Sequence, residues 1–265
     1  MTIASDHPAK FSPLILERMQ TIIDAEDLRA MRPLQIFDPF AGTGRVHDLA
    51  SVNGLHTWGV EIEPEWAGCH PRTIVGNALR LPFADRSMDG LVTSPCYGNR
   101  MADSHQAADE CKACAGRGWI GDPDTECGTC KGYGLSRRNT YTHRLQSSTR
   151  NPDRVLHDDN SGAMRWGKRY RRFHELAYRE ALRCIRPGGF AAVNISNHVE
   201  TSNGVSVEHH VAEWTINAWT LLGVTLAGAW PIETRRNGQG ANRDRRTEFE
   251  LVVLFRIPDL TPTLF

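Results

Sequence analysis

Residues 93–100 read T-S-P-C-Y-G-N-R, and their side chains suit one kind of reaction. An exocyclic amine on a nucleobase is a poor nucleophile, because its lone pair is delocalised into the ring. A catalyst must hold both amine hydrogens and draw the nitrogen toward tetrahedral geometry; no strong base is required. Ser94 Oγ and the Pro95 carbonyl are candidate acceptors that would aim the lone pair at a methyl sulfonium. Tyr97 offers a ring on which an extruded base can stack. Upstream, residues 38–44 read D-P-F-A-G-T-G. Gly42 and Gly44 let the backbone turn tightly and approach a ligand closely, and Asp38 places a carboxylate where a methionine ammonium would lie. No lysine follows the second glycine, which argues against a phosphate-gripping loop. The dinucleotide pattern G-x-G-x-x-G is incomplete, because position 47 is His.

A second constellation is sulfur-rich. Cys111-x-x-Cys114 and Cys127-x-x-Cys130 are separated by twelve residues and continue alike, as C-x-x-C-A-G-R-G and C-x-x-C-K-G-Y-G. Glycines after each pair permit knuckle turns that aim backbone N–H groups at thiolates, and four thiolates make a closed, structural Zn2+ site. Free reduced cysteines and iron–sulfur ligation are the alternatives. The expected role is a scaffold that presents Arg117, Trp119 or Lys131 to nucleic acid. Cys69 and Cys184 are expected in packing.

These residues need elements to hold them. Residues 11–31 carry apolar positions at helical spacing. Residues 34–37 form a short apolar run entering the glycine turn, a buried strand. Residues 45–52 read as a short helix, and residues 57–62 as a second strand, ending in Glu61. There an acidic side chain can bind ribose hydroxyls. Residues 73–75 and 88–93 are the third and fourth strands, and Asn77 follows the third, where it can meet an adenine edge. Strands alternating with helices imply a parallel, doubly wound sheet with ligands beyond the strands' carboxyl ends. Residues 101–164 break the pattern and are too long for an ordinary connection. A helix over 170–185, a strand over 190–195, a helix over 207–222 and strands over 224–229 and 248–256 then complete the sheet. Asn194 and His198 fall near the pocket; His209, His210 and Trp219 fall on the 207–222 helix.

The 265 residues are 40% hydrophobic and 23% charged, enough apolar material for a packed core. Formal net charge is zero, so no global field announces a polyanion. The basic residues are instead gathered in segments 137–172 and 235–246, which fits phosphate contacts beside the site. The N-terminus has no apolar signal region and the chain has no membrane-length apolar run, so a cytoplasmic protein is expected, with reduced cysteines and no membrane partner.

Taken together, the two motifs resemble those of the amino-methylating DNA methyltransferases, which act on cytosine N4 or adenine N6. Residues 38–44 resemble the family's cofactor motif, and Ser94-Pro95-Cys96-Tyr97 its S-P-P-Y or D-P-P-Y motif. The stretch T-S-P-C-Y-G-N-R-M-A-D is similar to the form in bacterial and phage-borne members. Cys96 departs from the usual Pro, at a position that supplies backbone shape. The resemblance covers residues 34–100 and 165–256. It implies an α/β fold of the class I, SAM-dependent methyltransferase type: Rossmann-like, with a seven-stranded, mostly parallel sheet, an antiparallel last strand and a small zinc-binding insert. It implies S-adenosylmethionine at Asp38, Phe40, Gly42, Gly44, Glu61 and Asn77, and catalysis at Ser94, Pro95 and Tyr97. The partner implied is DNA in a bacterial or phage-infected cell, and serine at the first motif position leans toward cytosine N4. Residues 1–100 and 165–265 would be the two halves of the core, with the insert at 101–164. The cysteine repeats resemble those of the J-protein chaperones over a short stretch only. The rival expectations are an RNA or tRNA base methyltransferase, and a non-catalytic zinc-containing nucleic-acid-binding module.

Overall fold

The computed structural model describes residues 12–96, 98, 111–115, 117–130, 132, 157–164, 166–202, 205–233 and 249–259. Helix α1 (Pro13–Ala30) opens on Ser12, whose side chain accepts the Ile15 N–H, with Pro13 in the first turn. Strands β1 (Leu34–Asp38), β2 (Leu55–Glu61), β3 (Thr73–Val75) and β4 (Met88–Thr93) follow, with the short helix α2 (Pro64–Ala67) between β2 and β3. After the insert come α3 (Lys168–Cys184), β5 (Ile185–Ile195), a hairpin of β6 (His198–Ser202) and β7 (Val205–His209), then α4 (Val211–Thr220), β8 (Thr225–Glu233) and β9 (Phe249–Arg256).

The main sheet has seven strands in the order β3-β2-β1-β4-β5-β9-β8. The pairings among β1 to β5 are parallel; β9 runs antiparallel to both β5 and β8. The order reverses beside β1, and that switch point brings the carboxyl ends of β1, β2 and β4 together. Helices cover both faces. On one, Ile15, Met19, Ile22 and Ile23 of α1 pack on Ile36, Val92, Ala192 and Val252. On the other, Tyr170, Phe173, Ala177 and Tyr178 of α3 and Trp219 of α4 pack on Phe37, Leu91, Val193 and Phe255. This is the class I methyltransferase topology expected from the sequence, with the single reversed strand where it was expected. Among the described residues, no helix is long and apolar enough to cross a membrane.

Three local expectations are corrected. The segment expected as a helix over 45–52 is a 3-10 turn, Arg45–Asp48. The fifth strand begins at Ile185 rather than 190, because Pro187-Gly188-Gly189 is absorbed as a bulge: Met88 pairs with Ile185 but Gly90 with Phe190. Gly189 fits there because an added Cβ would lie 2.5 Å from the Asp89 carbonyl oxygen. Finally, residues 207–209 belong to β7, and the helix begins at Val211. His209 is therefore a buried strand residue whose ring lies 4.9 Å from that of His198, while His210 stands at the helix N-cap position without a side-chain capping bond and Trp219 is buried on the helix.

Candidate active site and metal centre

The site begins with two buried acids. Asp38 closes β1 and is 2% exposed; Oδ1 accepts the Phe40 N–H at 2.9 Å and the Thr93 hydroxyl at 2.5 Å. The second bond ties the end of β1 to the end of β4, directly before Ser94. Glu61 closes β2, where Oε2 accepts the Gly42 N–H at 2.9 Å and Oε1 the Glu63 N–H at 2.9 Å. Gly42 and Gly44 adopt φ +53° and +89°, left-handed values that suit glycine. An added Cβ on Gly44 would lie 2.8 Å from His47 Cδ2. Burial pushes both Asp38 and Glu61 up to about 7, against the hydrogen bonds that hold them down. Two buried carboxyls that titrate near neutrality, beside a glycine turn, are groups that would favour a cationic or hydroxyl-rich ligand. Phe40 lies beside the same turn, its ring 5.3 Å from that of the buried His174.

Asn77 follows β3, as expected, but its amide is largely engaged. Oδ1 accepts the Leu79 N–H at 2.9 Å and Nδ2 donates to Asp159 Oδ2 at 2.7 Å. Asp159 belongs to the segment returning from the insert, which is fastened beside Glu61: Glu63 Oε1 accepts the His157 N–H at 3.0 Å and Asn160 Nδ2 at 2.8 Å.

Ser94 and Pro95 leave the end of β4. Ser94 Oγ accepts from Asn194 Nδ2 at 3.1 Å, and the same nitrogen donates to Glu250 Oε2 at 2.6 Å. β5 and β9 thus orient the hydroxyl. The Cys96 carbonyl accepts the Tyr170 hydroxyl at 2.6 Å, and the Gly98 carbonyl accepts the Trp166 N–H at 2.6 Å. Gly98 sits at φ +71°, and an added Cβ would meet Trp166 N at 3.1 Å. Burial pushes the Cys96 thiol up to about 12. A neutral thiol there is consistent with a backbone-shaping role. Tyr97 lies outside the described residues.

The structure therefore brings Asp38, Glu61, Gly42 and Ser94-Pro95 to one edge, formed by the ends of β1, β2 and β4. Thr93, Tyr170 and Trp166 were missed as parts of it. Thr93 carried a signal, since it precedes Ser94 and a hydroxyl there can reach across to β1. Trp166 and Tyr170 carried none, because the insert separates them from the loop they hold.

The four cysteines are buried, and their Sγ atoms lie within 4.8 Å of one another. Zn–S bonds of about 2.3 Å in a tetrahedron put sulfurs about 3.8 Å apart. The Cys111–Cys127 and Cys114–Cys130 sulfurs are 4.0 and 3.7 Å apart, so the donor set fits one zinc ion. The Gly118 N–H donates to Cys114 Sγ at 3.2 Å, a knuckle bond of the kind that stabilises a thiolate.

No protein-family model and no curated relative matches this sequence. Among solved structures, the chain is similar to TrmN from Thermus thermophilus, at 12% identity over 94% of this chain and 50% of that one, with a TM-score of 0.47. It spans about half of that protein. A SAM-dependent methyltransferase from Methanosarcina mazei matches at 12% identity over 95% of this chain and 100% of its own, TM-score 0.47. The 1,6-didemethyltoxoflavin-N1-methyltransferase of Burkholderia thailandensis matches at 13% identity over 92% and 78%, TM-score 0.40. At these scores the fold assignment rests on the strand order itself.

Proposed function

We propose that the chain is an S-adenosylmethionine-dependent methyltransferase that modifies an exocyclic base amine in DNA, cytosine N4 ahead of adenine N6. The observation that carries this reading is the edge at which Ser94-Pro95 adjoins two buried carboxyls, with the Asp38–Thr93 bond joining the halves. Bound S-adenosylmethionine supplies the chemistry as a methyl group activated by a sulfonium. The chain's part is to bind and orient. Asp38 receives the cofactor's ammonium, and Glu61 its ribose hydroxyls, with Phe40 and the Gly42 and Gly44 backbone shaping the pocket and Asn77 facing the adenine.

On the other side, Ser94 Oγ and the Pro95 carbonyl accept the two amine hydrogens. Held there, the amine nitrogen turns its lone pair outward for transfer. Its proton departs to solvent once the methyl is attached, so no buried base is needed. Asn194 fixes the direction in which Ser94 accepts. Tyr97 stacks on the extruded base.

DNA as the partner is supported by the basic segments, of which exposed Lys168 and Arg172 stand at the start of α3. Arg169 and Arg171, half-buried on the same turn, are engaged with the Asp158 carbonyl and Asp124, and residues 137–156, 165 and 235–246 lie outside the described residues. The cytosine preference rests on Ser94 in the family pattern. The test is mass spectrometry of nucleosides from DNA and RNA of cells expressing the protein. N4-methylcytosine in DNA supports the full reading. N6-methyladenine corrects the base, and methylation confined to RNA overturns the DNA assignment. A protein that binds no cofactor in calorimetry would instead be a non-catalytic module.

A further inference from the structure

The four-cysteine knuckle does more than sit in the insert. Between its two cysteine pairs the chain forms a short arm: the Cys127 N–H donates to the Gly118 carbonyl at 2.9 Å, Trp119 bridges Glu126, and the Ile120 N–H donates to the Thr125 carbonyl at 2.9 Å. Cys114 and Cys127 hold the arm's base. Its tip, residues 122–124, turns through Asp122, whose Oδ1 accepts the Asp124 N–H at 2.6 Å. The tip meets the start of α3 at two places. Asp124 pairs with Arg171. The Pro123 carbonyl oxygen lies 3.0 Å from where a Cβ on Gly167 would be. Arg171 also lies over the Trp166 ring, 5.5 Å from its centre. Trp166 and Tyr170 are the two residues that hold the Gly98 and Cys96 carbonyls.

We propose that Arg171 is a positioning residue that couples the metal-ordered arm to the Ser94-containing loop, so that metal occupancy sets how well the Cys96 and Gly98 carbonyls are held. This rests on the amine-clamp reading for its consequence in turnover, but not for the coupling itself. The physical case is a chain of contacts with one buried anchor at each end. At the metal end, four buried sulfurs have the spacing of a single tetrahedral ion. At the loop end, Gly98 has a left-handed φ and packs closely on Trp166, where an added Cβ would lie 3.1 Å from the Trp166 N, so shifts of Trp166 pass to it directly. Arg171 is the link able to hold both, since a planar guanidinium can pair with a carboxylate and stack on an indole at once.

The test is amide hydrogen exchange on the full chain, with zinc content and calorimetric S-adenosylmethionine affinity measured beside it. Arg171→Ala should keep one zinc per chain and near-parent cofactor affinity, yet lose about tenfold in protection at the Trp166 amide, whose N–H donates to the Gly98 carbonyl. Asp124→Ala should do the same, the double variant should be no worse than either alone, and Arg171→Lys should recover part of the loss. Removing zinc from the parent with a chelator should reproduce the loss, while removing it from Arg171→Ala should add nothing at this amide. Unchanged protection in both single variants, or additive losses, overturns the coupling. Coupled protection in a protein that methylates no nucleic acid would keep the coupling and remove only the reaction assigned to the loop.

Discussion

Asp38 and Glu61 set the pH behaviour of the site. Each keeps its proton to about 7 in the folded chain, while an unfolded carboxyl releases it near 4. Between those values the folded chain binds more protons, so these two groups lower stability as pH rises through that window. A cofactor whose ammonium and hydroxyls favour the charged carboxylates reverses the preference on binding. S-adenosylmethionine affinity should therefore rise with pH up to about 7, by at most about tenfold per pH unit for each proton released. Calorimetry at pH 6.5 in two buffers of different ionisation heat should register that release, and a pH-independent affinity would remove both carboxyls from the cofactor site. Ser94→Ala takes away one oriented acceptor. Turnover should fall by about 2–4 kcal/mol of transition-state stabilisation with cofactor affinity near normal; a parent rate in steady-state assays would exclude Ser94 from the clamp. At this scale the sequence was largely readable, because a glycine turn and an acid at a strand end have local signatures. Asn77 was less so. Its position was right, but its engagement with Asp159 depends on a segment 82 residues further along the chain.

The elements explain which parts of the site could be read and which could not. β1 to β4 are short apolar runs ended by polar punctuation, so their ends, and the residues on them, followed from pattern. The β6–β7 hairpin did not. Val207 and Val211 are four apart and mimic a helical face, whereas β7 is an exposed strand up to its buried His209. Pairing across the hairpin, not local preference, decides that stretch. The loop after β4 depends on α3 in the same non-local way. Gly98→Ala puts a methyl 3.1 Å from Trp166 N at a left-handed φ. The expected cost is about 1–3 kcal/mol of strain, released by displacing the loop. The variant should bind S-adenosylmethionine normally in calorimetry and lose turnover. Equal losses of both would mean that Gly98 supports the whole fold.

The molecule as a whole is a doubly wound sheet joined to an insert that carries four closely spaced cysteines. That insert was legible as a cysteine repeat, since thiolate spacing is written in the chain. How it docks was not, because Asp124 and Arg171 are far apart in sequence and ordinary in type. Cys127→Ser should drop zinc from about one per chain toward none by elemental analysis. The sheet should remain folded by circular dichroism, because the four cysteines form a cluster separate from both sheet cores. Full zinc retention would overturn the assignment of Cys127 as a ligand. The most direct measurement for the account is transfer of an isotope-labelled methyl group from S-adenosylmethionine by the purified chain to duplex DNA, followed by nucleoside mass spectrometry, with Ser94→Ala alongside. Labelled N4-methylcytosine is expected with the parent, and strongly reduced label with Ser94→Ala. Label on no exocyclic base amine, or equal label from both proteins, would contradict the proposed reaction.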